Sequence, residues 1–267
     1  MPKKGRSDYK MKSLYHLKFS GEPNAAYAIL PGDPGRVEEI ARQLDNPRFF
    51  SQNREYTAWL GSLHGENVLV MSTGMGGPST AIAVEELATV GVHTFIRVGT
   101  CGGMATQVKG GDIVIANAAI RMEGTSKEYV PIEFPAVSDI NVTNALISAA
   151  GDTRFDCHVG VVHCKDSFYG QHSPERMPIG FELQQKWEAW IKAGTLASEM
   201  ESAALFIVCQ TLGLRAGCVL SVIWNQERRR LGMSDNDGGH GIAAQVAVGA
   251  VARLIKEGID YKNDRKY

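Results

Sequence analysis

The sequence has no excess of basic charge, no paired cysteines and no apolar run of membrane-spanning length. Its 28 lysines and arginines face 29 aspartates and glutamates, for a formal net charge of −1. A nucleic-acid binder would carry a basic footprint, so that class is excluded. Neither terminal stretch, 2–12 or 262–267, precedes an apolar segment of signal-peptide or spanning length, so export and a membrane partner find no support. The five cysteines show no CxxC spacing, and most sit in apolar runs. Such a set reads as reduced, buried thiols in a reducing compartment, which points to a cytoplasmic protein. There is no internal repeat and no low-complexity linker, so residues 1–267 read as one domain, with 1–14 and 260–267 frayed. The Walker pattern GxxxxGK[ST] and the dinucleotide fingerprint GxGxxG are both missing, which disfavours a flavodoxin-like or dinucleotide-binding module.

What the chain does have is a regular alternation. Apolar runs at 27–30, 68–72, 94–98, 112–116, 159–162 and 217–223 predict strands, several of them apolar on both faces. Between them, 36–44, 79–90, 142–150, 200–212 and 241–256 carry apolar residues at helical spacing. The pattern is that of an α/β domain with a largely parallel central sheet. The 29 glycines cluster where strands hand over to helices. Ligands of α/β folds bind at those strand ends.

Three such junctions stand out. Leu30-Pro31-Gly32-Asp33-Pro34-Gly35-Arg36 lets backbone N–H groups approach an anion, with the following helix adding its positive end. Arg36 is poorly placed at a helix start unless an anion binds there; a Pro-Gly turn with a solvated arginine is the alternative. In Ser72-Thr73-Gly74-Met75-Gly76-Gly77-Pro78-Ser79-Thr80, Ser79 or Thr80 can cap the next helix. In Arg97-Val98-Gly99-Thr100-Cys101-Gly102-Gly103, an arginine inside an apolar strand must be paired to be buried. Followed by Gly-Thr, it points to a guanidinium and a hydroxyl converging on one oxyanion, with an internal salt bridge as the alternative.

With Ser198-Glu199-Met200-Glu201-Ser202, these motifs resemble the nucleoside phosphorylase-I family, and within it the uridine phosphorylases. The likeness runs from about Tyr15 to the last helix. It implies a three-layer α/β/α subunit in a homo-oligomer, commonly a hexamer built from dimers. It also implies reversible phosphorolysis of uridine to uracil and ribose 1-phosphate in pyrimidine salvage, with inorganic phosphate as co-substrate and no cofactor or catalytic metal. By this resemblance Gly32, Arg36, Arg97 and Thr100 hold the phosphate, and Arg54 is supplied to it by a neighbouring subunit. His16 matches the neighbour's histidine over the ribose 5′-hydroxyl. Glu55, Met75 and Ser79 match positions that in some relatives hold a monovalent cation between subunits.

The resemblance makes Glu201 the acceptor for ribose hydroxyls, with Met200 against the sugar. A carboxylate there suits an oxocarbenium-like transition state; a solvent-facing first helical turn is the plain alternative. Phe168 and Gln171 match the residues that stack on the base and read its amide edge, and an amide offers a donor and an acceptor together. Where many relatives carry an arginine two residues on, this chain has Ser173. Lys165 and His172 could supply the missing positive charge, unless Lys165 pairs with Asp166 at the surface. The run from Ser221 to Gln226 is expected to close the base pocket. Its Asn225 cannot act as the acid that purine-specific relatives place nearby, which favours a pyrimidine. Trp224 and Cys101 depart from the residues expected there. Residues 226–240, with Arg228-Arg229-Arg230, read as a flap or a solvated loop. The rivals are a purine nucleoside phosphorylase or a nucleosidase of the same fold, and, in another class, a nucleoside-binding protein without catalysis.

Overall fold

The computed structural model describes residues 14–258; of the stretches expected to be frayed, 1–14 and 260–267, all but residue 14 lie outside the described residues. The strands are β1 (Tyr27–Pro31), β2 (Asp45–Asn53), β3 (Tyr56–Leu63), β4 (Glu66–Met71) and β5 (Thr94–Gly103). They continue with β6 (Ile113–Met122), β7 (Ala136–Val137), β8 (Cys157–Lys165), β9 (Ala197–Glu199) and β10 (Arg215–Asn225). The helices are α1 (Val37–Ala41), α2 (Gly77–Thr89), α3 (Thr125–Tyr129), α4 (Ile140–Gly151) and α5 (Phe168–His172). After them come α6 (Gly180–Lys192), α7 (Ser202–Leu212), α8 (Gln226–Arg230) and α9 (Ile242–Lys256).

All ten strands join one mixed sheet. Its long arm runs β5-β1-β4-β3-β2, with β1 parallel to both β4 and β5. At the other end β10 pairs with both β5 and β6, so β5, β10, β6, β8 and β9 close into a five-strand ring. Strand alternation builds two cores. Tyr27, Ile29, Val68 and Val70 pack with residues of α1, α4 and α9, while Ala28, Leu30, Leu69 and Met71 pack with residues of α2 and α7. Each face of the sheet is thus covered by helices, giving three layers, as strands apolar on both sides require.

Local signals set the element ends. Asp139 accepts from the Val142 N–H at 2.9 Å and caps α4, and Gly213, at φ 79°, ends α7 in the left-handed conformation. The cap expected of Ser79 or Thr80 is not formed. Gly76 is the N-cap of α2, and both hydroxyls donate backwards, to the carbonyls of Met75 and Gly76. The third glycine-rich junction is also strand rather than loop. Residues 99–103 continue β5, because β10 pairs with it as far as Asn225↔Gly103.

Residues 226–240 are neither wholly irregular nor simply solvated. They open with α8, and the rest is tied to the sheet. Asp235 accepts from the N–H groups of Gly110 (3.0 Å) and Asn225 (2.6 Å), and Gly238 N–H donates to the Ile223 carbonyl at 2.7 Å. Arg228 is buried and donates to the carbonyls of Thr106 and Ser234. Gly110 lies so close beneath this segment that a Cβ there would overlap the carbonyl of Asn236. Gly110→Ala should therefore destabilise the protein by about 3 kcal/mol through backbone displacement. A thermal melt checks this; an unchanged melting temperature would mean that the segment is free to lift.

Candidate active site

The glycine-rich segments meet at one end of the sheet. The register Pro31↔Val98 leaves Gly32, where β1 finishes, beside Gly99 of β5. The loop after β4 lies against them, with Thr73 N–H donating to the Pro31 carbonyl at 2.9 Å. A Cβ on Gly32 would come within 3.1 Å of the Gly74 carbonyl, so these loops touch through backbone alone. Arg36 closes a 3-10 turn, Pro34–Arg36, that is capped by Asp33. It is half-buried, with Nε 3.8 Å from Asp33 Oδ2, so it is not the wholly solvated arginine of the plain alternative.

Arg97 is the centre of this end. It is 5% exposed and forms the internal salt bridge of the alternative reading, twice over. Its Nε donates to Glu199 Oε2 at 3.0 Å, and its Nη2 lies 2.5 Å from Glu201 Oε2. The guanidinium folds over Gly99, where no side chain would fit, and so lies next in the chain to Thr100. Glu199 also accepts from the N–H groups of Glu201 (2.9 Å) and Ser202 (3.0 Å) at the start of α7, and from the Ser202 hydroxyl (2.5 Å). Glu201 accepts from the Gly76 N–H at 2.5 Å, joining the loop before α2 to the same cluster. Both carboxylates are buried, so neither belongs to a solvent-facing turn. Burial raises the Glu201 carboxyl in spite of Arg97. In Glu199 burial acts the same way, but Arg97, the Ser202 hydroxyl and the Glu201 N–H outweigh it and hold the group ionised.

Beside this cluster a cavity of about 430 Å³ opens between the end of β8 and helices α5, α6 and α8. Lys165, Gln171, His172, His163, Trp187 and Gln226 are among its walls. Lys165 is 6% exposed and donates to Ser198 Oγ at 2.9 Å and to the Glu199 carbonyl at 3.4 Å. Asp166 accepts from the Gly124 N–H instead, so a surface Lys165–Asp166 pair is not formed. Burial lowers Lys165. His172 is lowered by burial and by Lys165; its ring lies between Phe168, at 4.3 Å, and Trp224, at 5.5 Å. Trp224 packs behind His172, with the Arg229 guanidinium 4.7 Å from its ring centre.

Of the other residues expected at the site, some lie against this cluster and some stand apart from it. Asn225 turns away from the cavity. Its amide donates to the carbonyls of Ala105 and Val108 and accepts from the Arg228 N–H, so its identity says nothing about purine or pyrimidine. Phe168 is half exposed at the start of α5, and Met200 is half-buried between the two carboxylates in sequence. Arg54 is exposed at the tip of the β2–β3 hairpin, with φ 55°, a left-handed conformation that costs a non-glycine residue energy. His16 is held by Glu86 near the far end of α2, through its Nδ1 (2.7 Å) and its N–H (2.9 Å). Glu86 lies ten residues beyond Gly76, about 15 Å along the helix axis. Asn53 donates to the His16 carbonyl at 2.6 Å, so His16 and the Arg54 hairpin form one unit. Glu55 and Ser79 flank Gly74, and the Met75 carbonyl accepts from Ser79 at 3.3 Å.

Known proteins of similar sequence identify the family. Residues 26–258 match the family model described as the phosphorylase superfamily. The chain belongs to the phosphorylase superfamily. It is 53% identical over 252 residues to the uridine phosphorylase of Treponema pallidum (strain Nichols), covering 93% of this chain and 97% of that one. The uridine phosphorylase of Escherichia coli (strain K12) is 40% identical over 248 residues, covering 91% and 98%. A guanosine phosphorylase of Halorubrum lacusprofundi is 43% identical over 198 residues, covering 74% and 78%. No helix among the described residues is long and apolar enough to cross a membrane.

Three residues of this candidate site carry little signal in sequence. Glu199 stands beside Glu201 with nothing to mark it as the partner of Arg97. Ser198 and His163 meet only through the register His163↔Ser198. Burial and the Lys165 charge push His163 down to about 3 from its ordinary 6.5. It stays neutral when folded, whereas the unfolded chain binds a proton below about pH 6.5. That stability contribution is complete above pH 6.5 and falls as pH drops towards 3. In His163→Gln, the stability lost between pH 7 and pH 5 should shrink by about 2 kcal/mol relative to wild type. Urea unfolding at the two pH values measures it, and equal losses would show that His163 titrates normally.

Proposed function

We propose that this phosphorylase is a uridine phosphorylase, cleaving uridine reversibly with inorganic phosphate to uracil and ribose 1-phosphate. The observation that carries the reading is the Arg97–Glu201 ion pair, buried at the glycine-rich strand ends beside a cavity walled by Lys165 and Gln171. In this reading Gly32, Arg36, Arg97 and Thr100 hold the phosphate in line with the anomeric carbon. A phosphate oxygen bonds to that carbon as its bond to the base nitrogen breaks, and the electron pair leaves with uracil. Glu201, with Met200 beside the sugar, accepts from the ribose hydroxyls and favours the positive charge that develops there. Phe168 and Gln171 engage the base, and the Lys165 ammonium offsets the charge of the departing uracil; His172, which burial and Lys165 keep neutral, serves there as a hydrogen-bonding group. No cofactor is required.

Electrostatics supports a site shared between subunits. Glu199 and Glu201 offset Arg97 and Lys165, and Asp33 stands 3.8 Å from Arg36, so Arg36 by itself is too little charge for a phosphate dianion. A second arginine is needed, and the exposed, left-handed Arg54 is suited to reach a neighbour's phosphate. His16, about 15 Å along α2 from the Glu201 contact, likewise suits a neighbour's ribose. Tyr15 and Met75 are exposed apolar side chains next to these groups, surface of the kind another protomer covers. We infer a homo-oligomer, a hexamer built from three dimers, with Glu55, Met75 and Ser79 available to a monovalent cation between subunits. One domain of this kind, with all five cysteines free, fits pyrimidine salvage in the cytoplasm.

The assay is uridine absorbance followed with and without phosphate. Phosphate-dependent loss of uridine exceeding that of inosine or guanosine is expected. Phosphate-independent cleavage would make the protein a nucleosidase, and faster purine turnover would shift it towards guanosine-type relatives. Arg54→Ala and Glu201→Gln should each lower kcat/KM by at least about 100-fold. Co-expressed, the two variants should recover activity, because some sites then combine an intact Arg54 with an intact Glu201. Failure to complement would place both residues in one subunit's site.

A further inference from the structure

Ser198 is 3% exposed on β9, and three polar groups converge on its hydroxyl. Gln171 Oε1 lies at 2.7 Å, Lys165 Nζ at 2.9 Å and His163 Nδ1 at 3.0 Å. A hydroxyl has one proton to give and two lone pairs to offer, so all three places are filled. The Lys165 ammonium can only donate and takes one lone pair. Two arrangements remain, and they present opposite ends of Gln171. If His163 carries its proton on Nδ1, it donates to Ser198, and the hydroxyl then donates to Gln171 Oε1. If the proton is on Nε2, the hydroxyl donates to Nδ1, and Gln171 must turn its NH₂ towards Ser198.

The surroundings of His163 decide between them. Its Nε2 is buried without a hydrogen-bond partner, and the ring is packed against Trp190, centroids 4.3 Å apart, and Trp187 at 6.0 Å. A buried N–H with no acceptor is costlier to leave than a buried lone pair with no donor. The proton therefore belongs on Nδ1, where Ser198 accepts it. The sequence of donations is His163 to Ser198, Ser198 to Gln171, and Gln171 Nε2 to Gln226 Oε1 at 3.0 Å.

We propose that His163 and Ser198 are positioning residues that fix which way the Gln171 amide faces, and thereby the choice between uracil and cytosine. This rests on the proposed contact of Gln171 with the base. Held in this sense, Gln171 has a lone pair on Oε1 and an N–H on Nε2 still to offer. A uracil ring N–H and its adjacent carbonyl match that pair. Cytosine brings a lone pair at the same ring nitrogen, so its lone pair would face Oε1, and a turned amide would suit it instead. A site whose polar groups are fixed rejects the mismatched partner, and one free to turn does not.

The test compares kcat/KM for uridine and cytidine in wild type, Ser198→Ala, Ser198→Thr and His163→Phe. Phosphate-dependent uridine cleavage by the wild type is scored first, so that failure of the functional reading is seen separately. Ser198→Ala and His163→Phe should each reduce the uridine-to-cytidine ratio by roughly tenfold or more. Ser198→Thr, which keeps the hydroxyl, should hold the ratio, and KM for phosphate should not move in any of them. An active Ser198→Ala enzyme with an unchanged ratio would overturn the proposal. Neutron diffraction of the deuterated wild type gives a reading that needs no variant to fold. A deuteron on His163 Nδ1 is expected, and one on Nε2 would overturn the assignment.

Discussion

The contact between Arg97 and the two carboxylates of Glu199 and Glu201 holds the functional end of this molecule together. A buried guanidinium is stable only while paired, and removing one partner of such a pair costs about 3–5 kcal/mol. Here the pairing spans elements far apart in sequence: β5 supplies the cation, β9 one anion, and the start of α7 the other. Through Gly76 the loop ahead of α2 is tied in as well. Any shift of one strand end is therefore felt at the others. Glycine at 32, 74 and 99 is what allows the backbones to come close enough for this cluster to form.

The same contact shapes the chemistry. Two carboxylates in a buried site would ordinarily repel an anion. In the proposed reaction their presence beside the phosphate makes sense, because positive charge develops on the sugar between them and the attacking oxygen. The difference between the two acids is set by surroundings. Glu199 receives several hydrogen bonds and stays ionised, serving as scaffold, while Glu201 receives fewer and is held at a higher pKa. Two residues apart, they do different work.

Much of the fold was legible because its central strands are apolar on both faces and bounded by glycine, so β1, β4, β5, β6 and β10 all announce themselves. The hairpin β2–β3 did not, because β2 is largely exposed and polar and has no core pattern to reveal it. Helix α6 was hidden for a related reason: it buries Gly180 fully but leaves its other side chains partly or wholly exposed. Of the candidate site, single residues in glycine-rich loops could be read, Arg36 and Arg97 foremost. Partnerships could not. That Ser198 meets His163, that Trp224 backs His172, and that Asn225 is spent on the turn at 105–108 all depend on strand register and side-chain direction. Neither is written in local spacing.

The closed ring of β5, β10, β6, β8 and β9 leaves the sheet few places to extend. Open edges remain along the outer side of β2 and beside the two-residue β7. An unpaired edge invites another chain to add a strand, the first step towards aggregates. β2 meets that hazard with Pro47, which has no N–H to give, with Arg48, and with register shifts that break its flat outline. The strands richest in valine and isoleucine are locked inside the ring or the arm. The topology that gathers the glycine-rich strand ends thus also shields the stickiest segments of the chain from one another's copies.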